Sequence, residues 1–324
     1  MLDPTRARFG IDLGGTKVEA IALAADGTEL ARERLTTPRG HYEATVDTIR
    51  VLIEGLDARF GRGSVGVGIP GAVSPATDLV KNANSTWLIG QPFHRDLETA
   101  LGRPVRVAND ADCLALSEAT DGAAAGVTTA FAVILGTGVG GGVVANGRVL
   151  SGPNAIGGEW GHNPLPWPRL WDLPDGRTLD ERPGEICYCG LSGCIETFLS
   201  GPGLTTDHHT ATSFGIHGAR LSAAEIAERA DQGDSACAAS LERYCDRLAR
   251  ALSTVINILD PEVIVLGGGL SNIDALYTRV PAMWTRTVFS DTVATKLRKA
   301  VHGDSSGVRG AAWLWDQGDA VRSV

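Results

Sequence analysis

The sequence predicts an α/β protein of two lobes, and three observations support this. The chain has 324 residues, more than most single domains contain. A strand, a glycine-rich turn and a second strand occur together twice, in RFGIDLGGTKVEAIAL from Arg8 and in TAFAVILGTGVGGGVVA from Thr129. Between and after these hairpins, segments with helical spacing alternate with short apolar runs, which is typical of α/β proteins.

The first half predicts a hairpin, a helix and two further strands in that order. The hairpin is followed by a helix over 44–60, whose apolar residues recur at helical spacing and which ends on Gly61. SVGVGIPG then predicts a buried strand that runs into a turn. PVRVAND predicts another strand, leading into a helix that begins near Asn109 or Asp110.

The second half begins with the second hairpin and ends with helices around one more strand. A region with five prolines, 164–183, is predicted to be a surface insertion. SLERYCDRLARALSTVINIL predicts a long helix that stops before Asp260 and Pro261, and VIVLGGGLS predicts a strand that enters a glycine turn. We expect residues 1–120 with 303–324 to form a small lobe, and 121–302 to form a large lobe.

Composition and charge narrow the class of partner. The formal net charge of −9 argues against nucleic-acid binding, which needs a basic surface, and favours a small-molecule partner. The most apolar stretch, Phe131 to Ala145, is too short to cross a bilayer, and the N-terminus lacks an apolar signal segment. We therefore expect a cytoplasmic protein without a membrane partner, whose thiols stay reduced.

Three glycine turns have the chemistry to hold phosphates. Each offers successive backbone N–H groups, and the first adds a hydroxyl and an ammonium group. Each could also be an ordinary hairpin or turn, and none matches the common phosphate-loop or dinucleotide patterns. The candidate residues are Gly14, Gly15, Thr16 and Lys17; Gly136, Thr137 and Gly138; and Gly267, Gly268 and Gly269.

Two carboxylates are candidates for phosphoryl-transfer chemistry. Asp110 could accept the proton of an attacking hydroxyl; on residue type alone the favoured interpretation is a helix cap, with Asn109 or Asp110 accepting hydrogen bonds from the first-turn amides. Asp12, at the end of the first strand, could hold the water shell of Mg²⁺ or could cap a turn. Lys17 could be a solvated strand residue.

CYCGLSGCIE, from Cys187 to Glu196, contains three of the six cysteines. In a reducing compartment, clustered cysteines indicate metal ligands or catalysts before disulfides. Because Cys-x-Cys is tighter than the usual ligand spacing of zinc sites, zinc binding and reduced thiols on a loop both stay open at this point.

These residues together resemble the ROK family of repressors and sugar kinases over essentially the whole chain. The motifs are DLGGTK, GIPG, AND at Ala108–Asp110, GTGVGGG, GGEWGH, CYCGLSGCIE and LGGGLS. The resemblance implies the actin-like ATPase and sugar-kinase (ribonuclease H-like) fold, with the active site in the cleft between lobes. KNANSTWLIGQPF and HGDSSGVRGAAWLW look most like bacterial fructokinases within that family.

The resemblance also implies roles for individual residues. Asp110 becomes the general base on the primary hydroxyl of the sugar, and Asn109, Glu159, His162 and Glu196 bind sugar hydroxyls with it. From composition alone, Glu159 and Glu196 would be solvated surface acids. His162, Cys187, Cys189 and Cys194 become ligands of a structural Zn²⁺.

The resulting expectation is an ATP- and Mg²⁺-dependent kinase that phosphorylates a hexose at O6, with fructose as the first choice. Glucokinase, mannokinase and N-acetyl amino-sugar kinase are the alternatives. A sugar-responsive repressor is a distant alternative, because only eleven residues precede Asp12. The resemblance further implies a homodimer.

Overall fold

The computed structural model describes residues 7–212, 220–303 and 306–315. The chain divides into two compact units, 1–132 with 142–158 and 300–324, and 133–141 with 159–299. Residues 304–305 and 316–324 of the predicted C-terminal segment 303–324 lie outside the described residues. The predicted lobes 1–120 with 303–324 and 121–302 stay a prediction, and the first unit differs from the predicted small lobe in also containing 121–132, 142–158 and 300–302.

The first unit is built on a five-stranded sheet in the order β3-β2-β1-β4-β7. The first hairpin and β3 pair antiparallel, whereas β1, β4 and β7 run parallel. A short hairpin, β5 with β6, follows β4. These strands are β1 (Arg8–Leu13), β2 (Lys17–Leu23), β3 (Glu29–Thr36), β4 (Ser64–Ile69), β5 (Ala72–Val73), β6 (Val80–Lys81) and β7 (Val105–Asn109).

Helices cover both faces of this sheet. The helix predicted from Val46, Ile49 and Leu52 is α1, and it packs its buried side chains on the sheet. On the other face, α9 lies so close to β1 and β4 that a Cβ at Gly10 or Gly66 would collide with the backbone of α9. The helices of this unit are α1 (Tyr42–Phe60), α2 (Phe93–Leu101), α3 (Asp110–Asp121) and α9 (Ser306–Trp313).

The second sheet has the strand order β10-β9-β8-β13-β14. β8 and β9 are the second predicted hairpin, and β13 is the predicted strand that enters the third glycine turn. β13 and β14 pair in parallel. The strands are β8 (Thr129–Leu135), β9 (Val139–Ala145), β10 (Arg148–Val149), β13 (Val263–Gly267) and β14 (Lys296–Lys299).

The long predicted helix is α7 (Ser235–Leu259), which begins on Asp234 as its N-cap and ends on Asp260 in a left-handed conformation. Its side chains are buried along most of its length, so it is the central helix of the second unit. The other helices of this unit are α4 (Ile195–Leu199), α5 (Gly201–Thr212), α6 (Ala223–Asp231) and α8 (Leu276–Met283).

The proline-rich region is more than a surface insertion. It contains a small antiparallel hairpin, β11 (Leu170–Asp172) with β12 (Thr178–Asp180). The next residue, Glu181, is buried. This burial ties the segment to the core of the second unit.

Across the described ranges 7–212, 220–303 and 306–315, none of the helices combines the length and apolarity that crossing a bilayer requires. The predicted α/β class is confirmed by the two sheets and their surrounding helices.

Candidate active site and metal centre

Asp12 and Asp110 follow the same edge of the first sheet. Asp12 pairs in register with Gly68, and Gly68 pairs with Ala108, so the three parallel strands β1, β4 and β7 end together. Adjacent strands lie about 4.8 Å apart, which puts the ends of β1 and β7 about 10 Å apart. This edge therefore presents both of the carboxylates that the sequence suggests for phosphoryl transfer.

Asn109 is the N-cap of α3. Its side-chain oxygen accepts a hydrogen bond from the N–H of Ala111 (2.8 Å), and Oδ1 of Asp110 accepts from the same N–H (2.8 Å). The Asn109 amide also donates to the carbonyl of Gly71 (3.1 Å). The capping role considered for Asn109 or Asp110 thus belongs to Asn109. Asp110 occupies the first turn of the helix, where backbone N–H groups favour its anionic form.

Cys113 lies fully buried beneath this edge. A Cβ on Gly68 would be 3.1 Å from its Sγ, so the glycine makes room for the thiol. Burial raises the pKa of Cys113 well above its usual value, and the charges of Asp112, Asp12 and Asp110 add to this. The thiol is therefore neutral, and it adds no negative charge beside the two candidate carboxylates.

The first glycine turn connects β1 to β2. Gly14 donates its N–H to the carbonyl of Lys17 (3.0 Å), and Thr37 binds the turn through Gly14 and Thr16. Gly15 and Thr16 are exposed. The turn therefore belongs to an ordinary β-hairpin, which was the alternative to a phosphate site. The tip of this hairpin is nevertheless accessible to a ligand.

Lys17 is an ion-pair partner of Glu19 (3.2 Å), so it is more than a solvated strand residue. Glu19 is buried and also pairs with Arg32 and Arg34. Although burial opposes ionisation, the hydrogen bonds from Arg34, Arg32 and Lys17 hold the pKa of Glu19 below its ordinary value. A buried anion therefore fixes three cations on the sheet that carries Asp12.

The second glycine turn is bonded directly to Glu196. Oε2 of Glu196 accepts a hydrogen bond from the N–H of Val139 (2.9 Å), and a Cβ on Gly138 would lie 2.7 Å from the same oxygen. Gly136 accepts from the N–H of Gly201 at the start of α5 (2.8 Å). Glu196, predicted to bind sugar, and Gly136–Gly138, predicted to hold phosphate, therefore belong to one site within the second unit.

The third glycine turn packs on the second. Gly267 ends β13, Gly268 has a positive φ of 79°, and a Cβ there would collide with the backbone of Leu135. Gly269 opens a short 3₁₀ turn. Only glycine fits this conformation and this close approach, which explains the glycine at position 268.

A cavity of about 700 Å³ opens between these two turns and α6. Its walls are mainly apolar, with a few polar groups, which is the usual character of a small-molecule or cofactor site. Lining residues from the turns are Gly136, Thr137, Gly269, Leu270, Asn272 and Ile273; those from the helical side are Gly201, Pro202, Ser222, Ala223, Ala224, Ala227, Glu228 and Asp231.

The candidate metal centre is the second group of predicted residues that the structure brings together. One ligand atom from each of His162, Cys187, Cys189 and Cys194 lies within 4.8 Å of the others. Nδ1 of His162 is 3.6 Å from Sγ of Cys187, and Sγ of Cys189 is 3.6 Å from Sγ of Cys194. A tetrahedral zinc ion with Zn–S bonds of about 2.3 Å needs separations of roughly this size, so the donor set fits Zn²⁺.

The thiols of this cluster differ in acidity. Burial is the main cause that raises the pKa of Cys194 to about 12, whereas a hydrogen bond from the backbone of Leu191 lowers that of Cys189. Metal binding must therefore release the proton of Cys194.

Glu159, His162 and Glu196 also share a neighbour, Tyr188. Nε2 of His162 lies 3.0 Å from the Tyr188 hydroxyl. Burial raises the pKa of Tyr188 to about 12, and the negative charges of Glu196 and Glu159 add to this. His162 therefore contacts this phenol, and the two predicted sugar-binding glutamates act on it through their negative charge.

Sequence reasoning missed three features of these sites: Glu19, Tyr188 and the α6 wall of the cavity. Tyr188 stands between two predicted ligands, so its position was a usable signal. Glu19 pairs directly with Asp12 across the first hairpin. The alternation of side chains along β2 could have revealed this pairing. The α6 wall carries no local pattern that identifies a ligand.

The chain matches the ROK family over residues 8–318. It is 40% identical over 309 residues to the N-acetyl-D-glucosamine kinase of Vibrio cholerae, covering 94% of this chain and 98% of that relative. It is also 40% identical over 309 residues to the enzyme of the same name from Pasteurella multocida, covering 95% and 99%.

Two solved structures are similar over nearly the whole chain. A ROK hexokinase from Thermus thermophilus has a TM-score of 0.79 and 30% identity, covering 94% of this chain and 96% of that one. A ROK glucokinase from Streptomyces griseus, solved with glucose and AMPPNP, has a TM-score of 0.77 and 27% identity, covering 96% and 100%. The predicted fold, that of the actin-like ATPases and sugar kinases, is confirmed.

Proposed function

Since the chain belongs to the ROK family and is an ATP-dependent sugar kinase, we propose that it phosphorylates N-acetyl-D-glucosamine at O6. The observation that supports this sugar is the 40% identity, over almost the full length of both chains, to relatives named N-acetyl-D-glucosamine kinase. Fructose, the first choice from sequence motifs, is not confirmed. The amino-sugar alternative has the better support.

We propose that ATP binds in the second unit. The cavity of about 700 Å³ takes the nucleoside between α6 and the turn that begins at Gly269. The N–H groups of Thr137 and Gly138 are assigned to its phosphates, since Gly136 donates its own N–H to the carbonyl of Gly138 (3.0 Å). In the first unit, Gly14–Lys17 are proposed phosphate contacts as well, and Asp12 the residue that holds hydrated Mg²⁺.

In the proposed mechanism, Asp110 accepts the proton of the O6 hydroxyl. Its position in the first turn of α3 keeps it ionised, and its hydrogen bond to the N–H of Ala111 fixes its orientation. Asn109 is held by Gly71 and Ala111, so its amide is oriented before the sugar arrives. Mg²⁺, when bound, neutralises the charge of the transferring phosphoryl group.

Glu159, His162 and Glu196 are proposed to bind sugar hydroxyls. Glu196 is already fixed by the N–H of Val139, and His162 by its position beside Cys187. We further propose that His162, Cys187, Cys189 and Cys194 hold a structural Zn²⁺. Four protein ligands close its coordination shell, so this ion would position the sugar-binding residues without acting on substrate. The homodimer stays a proposal.

A coupled assay tests the sugar. We expect kcat/KM with ATP to be highest for N-acetyl-D-glucosamine among that sugar, glucose, mannose and fructose, and repeating the series with GTP will rank the nucleotides. A higher kcat/KM for fructose would restore the first choice from sequence, and a higher value for glucose would support a glucokinase. In each case phosphorylation at O6 is checked by ³¹P-coupled NMR of the product.

A further inference from the structure

The buried carboxylate of Glu181 is the most heavily bonded acid of the second unit among the described residues. Its side chain has 0% exposure. It accepts hydrogen bonds from Nε of Arg247 (2.7 Å), from Nη2 of Arg250 (2.8 and 3.0 Å), from the indole N–H of Trp171 (2.8 Å) and from the backbone N–H of Arg169 (2.8 Å). Both oxygens are thus bound by donors from α7 and from the insertion.

The same two arginines bind other parts of the insertion and of the core. Arg250 donates to the carbonyls of Pro166 (2.5 Å) and Trp167 (3.0 Å), and Arg247 donates to Asp207 on α5 (2.7 Å). The insertion is therefore attached to α7 at two places. One is at Pro166 and Trp167, near the start of the insertion, and the other is at Glu181, near the end of the insertion. We call Glu181, Arg247 and Arg250 with these partners the Glu181 cluster.

The cluster is costly to bury and is firmly ionised. Taking charges out of water costs several kcal/mol per ion, and ion pairing offsets that cost only when the hydrogen bonds are complete. Burial opposes ionisation of Glu181, yet the charges of Arg247 and Arg250 hold its pKa below the ordinary value. A buried ion-pair cluster is weak evidence for stability, whereas fixing one geometry is a role that such clusters have in some proteins.

The insertion is also the connection between two parts of the candidate metal centre. Residues 163–186, 24 in number, separate His162 from Cys187. After Glu181, only five residues, 182–186, remain before Cys187. Within them, a Cβ on Gly184 would collide with Gly193 and touch the ring of Phe198, and Glu185 accepts from the N–H of Gly193 (3.0 Å).

The cluster also touches the helix that carries Glu196. The guanidinium of Arg247 lies over the ring of Phe198, 5.3 Å from its centroid, two residues after Glu196. Tyr244, one turn earlier on α7, donates to the carbonyl of Leu199 at the end of α4 (2.8 Å). One face of α7 therefore holds both the insertion and α4.

We propose that Glu181 is a positioning residue of the metal centre: by anchoring the insertion to α7, it holds Cys187 and the α4 helix where the metal and the sugar require them. This inference rests on the zinc site proposed above, and it does not depend on which sugar the enzyme prefers. The backbone pairing of Pro164 with Cys194 holds His162 separately, so the effect falls on the Cys187 side of the site.

Glu181→Gln tests the proposal, because the amide keeps the size of the side chain and loses the charge that both arginines require. The free energy of loop closure grows as (3/2)RT ln n, so lengthening the tether to Cys187 from five residues toward the 24 of the whole insertion weakens Zn²⁺ binding by up to about tenfold. The measurement is competition for Zn²⁺ with a chromophoric chelator, on purified protein. We also expect a higher KM for sugar and an unchanged KM for ATP.

Two further variants make the result interpretable. Asp57→Asn breaks another two-bond arginine–carboxylate pair, Arg103 with Asp57 (3.0 and 2.7 Å), in the other unit, so it should lower stability and leave Zn²⁺ affinity unchanged. Trp171→Phe removes only one donor to Glu181 and should weaken Zn²⁺ binding two- to threefold. Trp171→Phe is the variant that tests the proposal if Glu181→Gln does not fold.

A folded Glu181→Gln protein with wild-type Zn²⁺ affinity overturns the proposal. If that variant does not fold, wild-type Zn²⁺ affinity in Trp171→Phe overturns it. If Asp57→Asn weakened Zn²⁺ binding to the same extent, the proposal would also be overturned, because the loss of Zn²⁺ affinity would then follow the overall stability of the protein. The sugar assay on wild-type enzyme decides the proposed substrate independently of these results.

Discussion

The hydroxyl of Tyr188 lies 3.0 Å from Nε2 of His162, the ring nitrogen opposite the one that faces Cys187. The two rings meet edge to face, with centroids 5.1 Å apart. With a metal on Nδ1, Nε2 would carry the ring proton, and its N–H would donate a hydrogen bond to the phenol oxygen. A sugar hydroxyl that binds His162 must therefore compete with Tyr188 for this N–H.

Tyr188→Phe removes that competitor. A net hydrogen bond contributes about 1 kcal/mol, so we expect the KM for sugar to fall up to about fivefold, with kcat little changed. Steady-state kinetics at saturating ATP measures this. Leu191→Ala, at another exposed apolar residue of the same loop, is the control. A rise in sugar KM would instead show that the phenol itself binds the sugar.

Asp110→Asn tests the proton acceptor. The amide can keep the bond to the N–H of Ala111 but cannot accept the O6 proton, so we expect kcat to fall by about 10² to 10⁴ with sugar binding retained. Calorimetry and single-turnover kinetics separate the two quantities. Asp112→Asn, two residues along the same helix, keeps an acceptor for Ser151 and should lose far less activity. Near-normal kcat in Asp110→Asn would refute the assignment.

Ala224→Trp tests the nucleotide cavity. Ala224 lines the cavity and is exposed, so an indole there blocks space without disturbing the core. We expect a rise of tenfold or more in the KM for ATP, with sugar affinity unchanged. Ala236→Trp, at an exposed position of α7, controls for the added side chain. An unchanged KM for ATP would place the nucleoside elsewhere.

Chelation tests the role of the metal centre. Because the proposed zinc would be closed to substrate, its removal should raise the KM for sugar, or loosen residues 186–194, before it alters ATP binding. Proteolysis of the loop and calorimetric titration of ATP report these two effects. Metal-free enzyme with an unchanged KM for sugar would contradict this positioning role.

Acid should destabilise the protein through its buried glutamates. The pKa values of Glu19 and Glu181 in the folded state lie below the value of 4.5 for a free glutamate. Their stabilising contribution is complete above pH 4.5 and is lost as the pH falls through the folded-state pKa values. We therefore expect the free energy of unfolding in urea to fall below about pH 4.5. Glu19→Gln should reduce this dependence, whereas Glu43→Gln, on the exposed side of α1, should not.

Much of the first unit follows from local sequence. The apolar runs of RFGIDL and VEAIAL form β1 and β2, the spacing of Ile49, Leu52 and Leu56 forms a face of α1, and Asn109 caps α3. These outcomes depend on side-chain alternation and on hydrogen bonds between close neighbours in the chain, so the sequence predicts them well.

The proline-rich segment shows where such reasoning stops. Its prolines and polar residues indicate a surface insertion, yet Glu181 within it is buried against Arg247 and Arg250, 66 and 69 residues away. A buried charge needs partners, but nothing near Glu181 in the sequence identifies them. The same limit applies to the bond between Glu196 and Val139, 57 residues apart.

By itself the sequence determined the family, the α/β class, and the residue types of the candidate catalytic, nucleotide and metal sites, because these reside in short motifs with their own chemistry. Tertiary structure alone decided that the four candidate metal ligands meet, that Tyr188 lies beside Nε2 of His162, and that Glu181 anchors the insertion. These are contacts between distant segments, and they form only because packing of the core brings those segments together.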